Sequence, residues 1–235
     1  MPITDSKNDV VVRDYSIEQL KKTANLMRGY DLVALCAAGS GHAGGTLSIM
    51  DITAALYLKV ADLDPKNPEW PDRDRIIFST GHKAPSLYLG LAFAGFYPPE
   101  EVVTLRKLYS PYQGHPHWLK LPGVEASTGS LGQGLSIAIG LALAGRLNDK
   151  NYTTFCIMGD GEQQEGQVWE AAMEAGHYKL DSLVAIVDCN RLQIDGLGRH
   201  RETAPVERIP DPPSGYFATF AYPSRPLRIL RDLCG

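Results

Sequence analysis

Asp160 stands between two glycines, in Gly159-Asp160-Gly161, and Asn190 follows that triplet after 28 intervening residues. Each ends a short apolar run: Thr154 to Met158 before the first, Leu183 to Val187 before the second. One carboxylate and one carboxamide oxygen, with little bulk around the carboxylate, suit a hard cation that also holds phosphate oxygens. Magnesium is commonly bound this way, by one or two carboxylates plus the phosphates of its ligand. Three of the six histidines, His42, His82 and His115, come directly after a glycine in a loop beside a strand or helix end. Glycine lets the backbone approach a ligand closely, and imidazole both donates and accepts hydrogen bonds near neutral pH. His117, His177 and His200 lack that setting and read as structural. A third feature is the stretch Glu125 to Ser136, EASTGSLGQGLS, whose glycines lead into a run of small and aliphatic residues. The N–H groups at such a helix start form a ready anion site. The helix dipole contributes only about 0.3–1 kcal/mol for an exposed charge, so it assists a metal and does not replace one.

Positioning these residues requires particular elements. Two apolar runs flanking a helical segment predict a right-handed βαβ unit with parallel strands. Both strands of such a unit end at one sheet edge, so Asp160 and Asn190 emerge side by side where open α/β sheets bind ligands. Ser16 opens S-x-x-Q, a capping box, ahead of a long helix whose apolar residues include Ile17, Leu20, Ala24, Met27, Leu32, Leu35 and Cys36. The spacing predicts a second helix over Thr46 to Val60, with Leu47, Met50, Ile52, Leu56 and Tyr57 turned inward. A short strand is expected from Arg75 to Thr80, helices over Pro85 to Ala94 and Pro99 to Tyr109, and another helix ending about Arg146. The fold class is therefore α/β, a parallel sheet with helices on both faces.

Taken in order, SGHAGG, STGHKAPSLY, QGHP, STGSLGQGLSIAIGLALA and the stretch from GDG to IDG resemble the N-terminal region of the transketolase family. GDG, 28 residues and Asn is the diphosphate-binding motif of thiamine-diphosphate enzymes more broadly. The resemblance spans about Tyr15 to Gly196. It implies the thiamin diphosphate-binding fold, with thiamine diphosphate and Mg²⁺ (or Ca²⁺ or Mn²⁺) as cofactors. It implies a transferase of the pentose phosphate pathway that moves a two-carbon ketol unit from a ketose phosphate to an aldose phosphate. Carried over by position, Asp160, Asn190 and the main-chain carbonyl of Leu192 would ligate the cation. His82, Gly129, Ser130, Leu131, Gly161 and Asn190 would hold the cofactor, Gly161 and the Gly129 loop through main-chain atoms. His42 and His115 would face the sugar hydroxyls and the reacting carbon. Glu165 and Glu170 match glutamates that the family places at a subunit interface near the cofactor's aminopyrimidine.

In that family the carboxylate that activates the aminopyrimidine belongs to a second, pyrimidine-binding domain, which these 235 residues do not supply. The resemblance thus implies the N-terminal subunit of a split transketolase, active only with a C-terminal partner subunit, as a homodimer or heterotetramer. Alternatives within the cofactor class are a 1-deoxyxylulose-5-phosphate synthase-like enzyme and a keto-acid dehydrogenase α chain. A non-catalytic assembly subunit of the same fold is the alternative outside it. A nicotinamide-binding protein is disfavoured, because no G-x-G-x-x-G follows an early strand.

Composition agrees with a globular protein, at 44% hydrophobic and 21% charged residues. The net charge of −4 argues against a nucleic-acid or anionic-membrane partner. Cys36, Cys156, Cys189 and Cys234 form no close pair, which predicts buried free thiols in a reducing compartment. With no secretory signal and no run long enough to span a bilayer, the expected location is cytoplasmic. The domain is expected over residues 1–198. Beyond it, 199–235 reads as a divergent tail, with six prolines from Pro205 to Pro226, six arginines and no lysine.

Overall fold

Ser16 caps the first helix, α1 (Ile17–Ala38), with both halves of the predicted box in place. Its hydroxyl accepts from the Gln19 N–H at 3.2 Å, and the Gln19 side chain accepts from the Ser16 N–H at 2.7 Å. Two otherwise unpaired donors are satisfied in this way. Gly39 ends the helix in the left-handed region, at φ 66. The computed structural model describes residues 15–193 and 196–197. His200, Cys234 and the proline-rich tail lie outside the described residues.

The continuous helix expected over Thr46 to Val60 is divided into α2 (Ala43–Ser48), α3 (Met50–Ala55) and a wide π-turn, Leu56–Val60. Thr46 and Thr53 donate their hydroxyls to the carbonyls of His42 and Ile49, four residues earlier, at 2.9 and 3.1 Å. Such back-bonding bends helices. Met50, Ile52, Leu56 and Tyr57 are nevertheless buried, and Leu47 is partly so. The helix expected over Pro99 to Tyr109 is reduced to one 3₁₀ segment, Pro99–Thr104. There Tyr112 is buried and donates its hydroxyl to Glu101 Oε2 at 3.0 Å, while Thr104 and Ser110 meet at 2.8 Å. These contacts pull the chain back on itself, with Arg106 and Tyr109 at positive φ.

Strands β1 (Arg75–Phe78), β2 (Thr154–Gly159) and β3 (Leu183–Asp188) form one parallel sheet in that order. Helices α4 (Ala84–Ala94), α5 (Gln133–Leu147) and α6 (Gly166–His177) complete the layers, and α6 is the crossover of the expected βαβ unit. Alternation along the strands divides the interior in two. Ile76, Phe78, Phe155, Ile157, Val184 and Ile186 pack with α1, α3 and α4. Ile77, Cys156, Met158, Ala185 and Val187 pack with α5 and α6. All eleven residues of α4 are buried, which makes it the central helix of the larger core. Residues Leu192–Gln193 (β4) and Gly196–Leu197 (β5) pair as a small antiparallel hairpin. No helix among the described residues is long and apolar enough to cross a membrane. Of the described cysteines only Cys156 is a buried thiol, whereas Cys36 and Cys189 are exposed.

On α1 the inward face is Leu20, Ala24, Met27, Asp31 and Ala34, while Ile17, Leu32 and Cys36 face outward. Asp31 is completely buried, and neither carboxylate oxygen has a hydrogen-bond partner among the described residues. Burial pushes its pKa up to about 7. Burial favours the neutral form, so folding carries no charge penalty below the ordinary carboxylate pKa of about 3.9. The penalty grows as pH rises from about 4 to 7 and is constant above that. Asp31→Asn should therefore raise Tm at pH 8 and leave it nearly unchanged at pH 4. Discounted for relaxation of the surrounding chain, a gain on the order of 1–2 kcal/mol is expected, at about 2–4 °C per kcal/mol for a chain of this size. Thermal melts of both proteins across pH 4–8 check this. A gain that is equal at both ends contradicts a titrating Asp31.

Candidate active site

Parallel register pairs Phe78 with Ile157 and Gly159 with Asp188, so three chain segments leave the sheet at the same edge. The Asp160 N–H extends the ladder to the Asp188 carbonyl at 3.2 Å. Its side chain is then fixed by main-chain donors: Oδ1 accepts from Gly161 N–H at 3.0 Å and Oδ2 from Arg191 N–H at 2.8 Å. Asn190 Oδ1 accepts from Leu192 N–H at 2.9 Å. Asp160 is thus bonded to the residue directly after Asn190, which brings both side chains and the Leu192 backbone to one place. A left-handed Arg191, at φ 60, makes that turn. Carboxylate, carboxamide and carbonyl oxygens suit a hard cation, and each bonded oxygen keeps a further lone pair. No cluster of three or more His, Cys, Asp or Glu side chains that could hold a metal occurs among the described residues. A cation here would take its remaining ligands from phosphate and water, so the residues fit Mg²⁺ bound together with a diphosphate.

The second group is the three histidines. His42, ahead of α2, has its ring centroid 5.4 Å from that of His82 and 6.4 Å from that of His115. His82 lies in the 3₁₀ turn Gly81–Lys83 that follows β1. The glycine before it is needed for close approach: a Cβ on Gly81 would collide with the carbonyl of Thr128, so the His82 turn and the Gly129 loop lie back to back. A Cβ on Gly129 would in turn stand 3.2 Å from the His115 ring. Burial is the main cause that lowers the His82 pKa to about 4, followed by the charges of Lys83, His42 and His115. Burial also lowers His115, with His42 and Arg106 adding to the effect. Both imidazoles are therefore neutral at pH 7, able to accept a proton at one nitrogen and donate at the other.

Two connections had no signal in the sequence, because their partners lie far apart along the chain. Lys83 is buried and forms a 2.5 Å ion pair with Asp188, whose other oxygen accepts from Ser48 Oγ at 2.7 Å. This ties α2, the His82 turn and the end of β3 together. Glu162, in the 3₁₀ turn Gly161–Gln164, is only 2% exposed. It accepts from Ser79 Oγ, from Gly132 N–H at 2.8 Å and from Gly159 N–H at 3.1 Å. Ser79 Oγ itself accepts from Gly134 N–H at 3.0 Å. The anion site expected at the start of α5 is thus partly taken by a carboxylate of the chain itself. Ser130 and Leu131 lie in the loop just ahead, Ser130 exposed and Leu131 half-buried.

Glu165 is not among the histidines. It is the exposed N-cap residue of α6, and its Cβ would stand 2.8 Å from a Cβ on Gly132. Glu170 lies on the exposed face of the same helix. Gly161 and Asn190 are half-buried beside Asp160.

The chain is similar to known proteins over most of its length. The family model described as "Transketolase, thiamine diphosphate binding domain" matches residues 19–208. SqwG of Clostridium sp., a 6-deoxy-6-sulfo-D-fructose transketolase subunit, is 44% identical over 192 residues, covering 82% of this chain and 69% of that protein. An apulose-4-phosphate transketolase subunit from Phocaeicola vulgatus is 45% identical over 159 residues, covering 68% of this chain and 56% of that one. Among solved structures, the transketolase of Campylobacter jejuni superposes with a TM-score of 0.76 at 35% identity, over 82% of this chain and 31% of its own. The chain therefore matches about a third of that transketolase, and between half and seven tenths of the two subunit-type relatives. A family model matching over most of its length makes this chain a member of the transketolase family, in its thiamine diphosphate-binding domain.

Proposed function

We propose that this chain is the diphosphate-binding subunit of a two-chain transketolase that moves a two-carbon ketol unit from a ketose phosphate to an aldose phosphate. The observation that carries the proposal is the meeting of the Asp160–Asn190 oxygen set and three glycine-flanked histidines along one sheet edge. Two relatives bear the name of transketolase subunits, which supports a separate partner chain carrying the pyrimidine-binding domain. The whole enzyme would be a homodimer or heterotetramer in the cytoplasm, and residues 1–198 would be its domain here.

In this reading Asp160, Asn190 and the Leu192 carbonyl hold Mg²⁺ on the diphosphate. Gly161 and the loop Gly129, Ser130, Leu131 approach the same group with main-chain atoms. Bound thiamine diphosphate supplies the carbon nucleophile that cleaves and re-forms the sugar's carbon–carbon bond. The chain supplies proton handling and orientation. His42 and His115, both exposed at the mouth of the group, take and return the protons of the sugar oxygens as carbonyl and hydroxyl interconvert. His82, held neutral by burial, donates or accepts one oriented hydrogen bond. Glu165 contributes at the subunit boundary, from the start of α6.

Asp160→Ala should abolish Mg²⁺-dependent binding of thiamine diphosphate. Calorimetric titration of the chain together with its partner subunit reads this, and unchanged affinity contradicts the assigned cation site. His115→Ala should leave cofactor affinity within about twofold while lowering kcat by about 10²–10⁴, the usual range for a positioned acid–base group. Equal loss of affinity and turnover would instead give His115 a cofactor-holding role. Transfer of label from a ketose phosphate to ribose 5-phosphate by the two-chain complex tests the reaction itself. A complex that binds the cofactor yet transfers no label rules out transketolase activity on these sugars.

A further inference from the structure

The loops assigned to the diphosphate come from three places: the end of β1, the end of β2 and the segment before α5. Each has main-chain N–H groups that must find acceptors once buried. The Glu162 carboxylate accepts from main-chain N–H groups of the last two and from the Ser79 hydroxyl at the end of β1. Gly159 N–H belongs to the residue before the proposed cation ligand Asp160, and it points at Glu162 Oε2 at 3.1 Å. Gly132 N–H, one residue after the loop that ends at Leu131, points at Oε1 at 2.8 Å. Ser79, three residues before His82, donates its hydroxyl to Oε1 and accepts from Gly134 N–H at 3.0 Å. A Cβ on Gly134 would strike the Ser79 side chain, so the glycine is what allows that approach. Every hydrogen in these contacts comes from the surrounding groups, and the carboxylate only accepts. Its place at the start of the fifteen-residue helix α5 adds the favourable interaction of an anion with the helix N-terminus.

We propose that Glu162 is the positioning residue that sets the cofactor cradle before the cofactor arrives. It touches neither the cofactor nor the sugar in this reading. It acts through Gly159, Ser79 and Gly132, so that the His82 turn, the Asp160 turn and the Gly129 loop stand at fixed separation. At the α5 N-terminus the Gly132 and Gly134 donors are already used. The diphosphate is therefore held by the loop ahead of the helix and by Gly161, not by the helix end itself. This inference rests on the proposed function, because it takes thiamine diphosphate as the ligand.

Glu162→Gln keeps the size of the side chain but turns an amide N–H₂ toward donors that need an acceptor. In the full chain without cofactor, the amides of residues 79–82 and 129–134 should exchange hydrogen at least tenfold faster, while those of α4 and β3 keep their wild-type rates. With the partner subunit present, calorimetry should find thiamine diphosphate with Mg²⁺ bound at least tenfold more weakly. A merely structural role would lower Tm and leave that affinity and the local exchange pattern alone. Should Glu162→Gln fail to fold, Ser79→Ala removes one arm of the junction and should weaken cofactor binding about two- to fivefold. A folded variant of either kind with wild-type affinity and wild-type exchange in both loops overturns the positioning role. A wild-type complex that does not bind thiamine diphosphate overturns the functional reading itself, whatever the variants do.

Discussion

Parallel pairing of three short strands is the constraint from which the site follows. It sends every strand off the sheet at one edge, and at that edge the hydrogen-bond ladder stops. The donors left over at Gly159 and at the start of α5 are too buried for water to satisfy. A carboxylate in the first turn after β2 meets them, and in doing so it fixes the spacing of segments that are 30 and 83 residues from it along the chain. Leaving such groups without partners costs about 1–3 kcal/mol each. The arrangement that completes the core of this edge is therefore the same one that would shape the proposed cofactor cradle.

Charge at the edge is handled by separation. Asp188 would be a second carboxylate close to Asp160, but it is paired with Lys83 and capped by the Ser48 hydroxyl, and both members of the pair are buried. Asp160 is left as the carboxylate available to a cation, which is enough for an ion that brings phosphates with it. Lys83 has a second effect. It stands beside His82 and is the largest charge acting against protonation of that ring, after burial itself. One cation thus neutralises Asp188 and adds to the burial that keeps His82 neutral, and breaking a buried pair of this kind typically costs about 3–5 kcal/mol.

Sequence pattern revealed the parts of this molecule that repeat or stop sharply. The two apolar runs before Gly159 and Asp188, the capping box at Ser16 and the glycine before each of three histidines all express local rules, and the folded chain obeys them. Regular helix was overestimated where side chains compete with the backbone, at Thr46 and Thr53 in the second helical stretch and at Thr104 beyond Pro99. Asp31 shows the opposite failure. Its place in the buried stripe of α1 is clear from spacing, but a charged residue there reads as a phase error unless the fold is known. Glu162 and Lys83 were invisible for a third reason. Nothing local distinguishes a surface Glu or Lys from one whose partner sits across the sheet edge.

The division of labour among the side chains also bears on selectivity. In the proposed reaction the groups gathered here would address the cofactor's diphosphate and features common to many sugars, a carbonyl oxygen and adjacent hydroxyls. The cations beside the histidines are engaged elsewhere, Lys83 with Asp188 and Arg106 with the Ser40 hydroxyl at 3.3 Å. Relatives at 44–45% identity carry the names of two different substrates, a sulfo-sugar and a sugar phosphate. In the proposed reaction, discrimination would arise at the far end of the sugar, beyond the reach of His42 and His115, where the surface facing the proposed partner chain would complete the pocket.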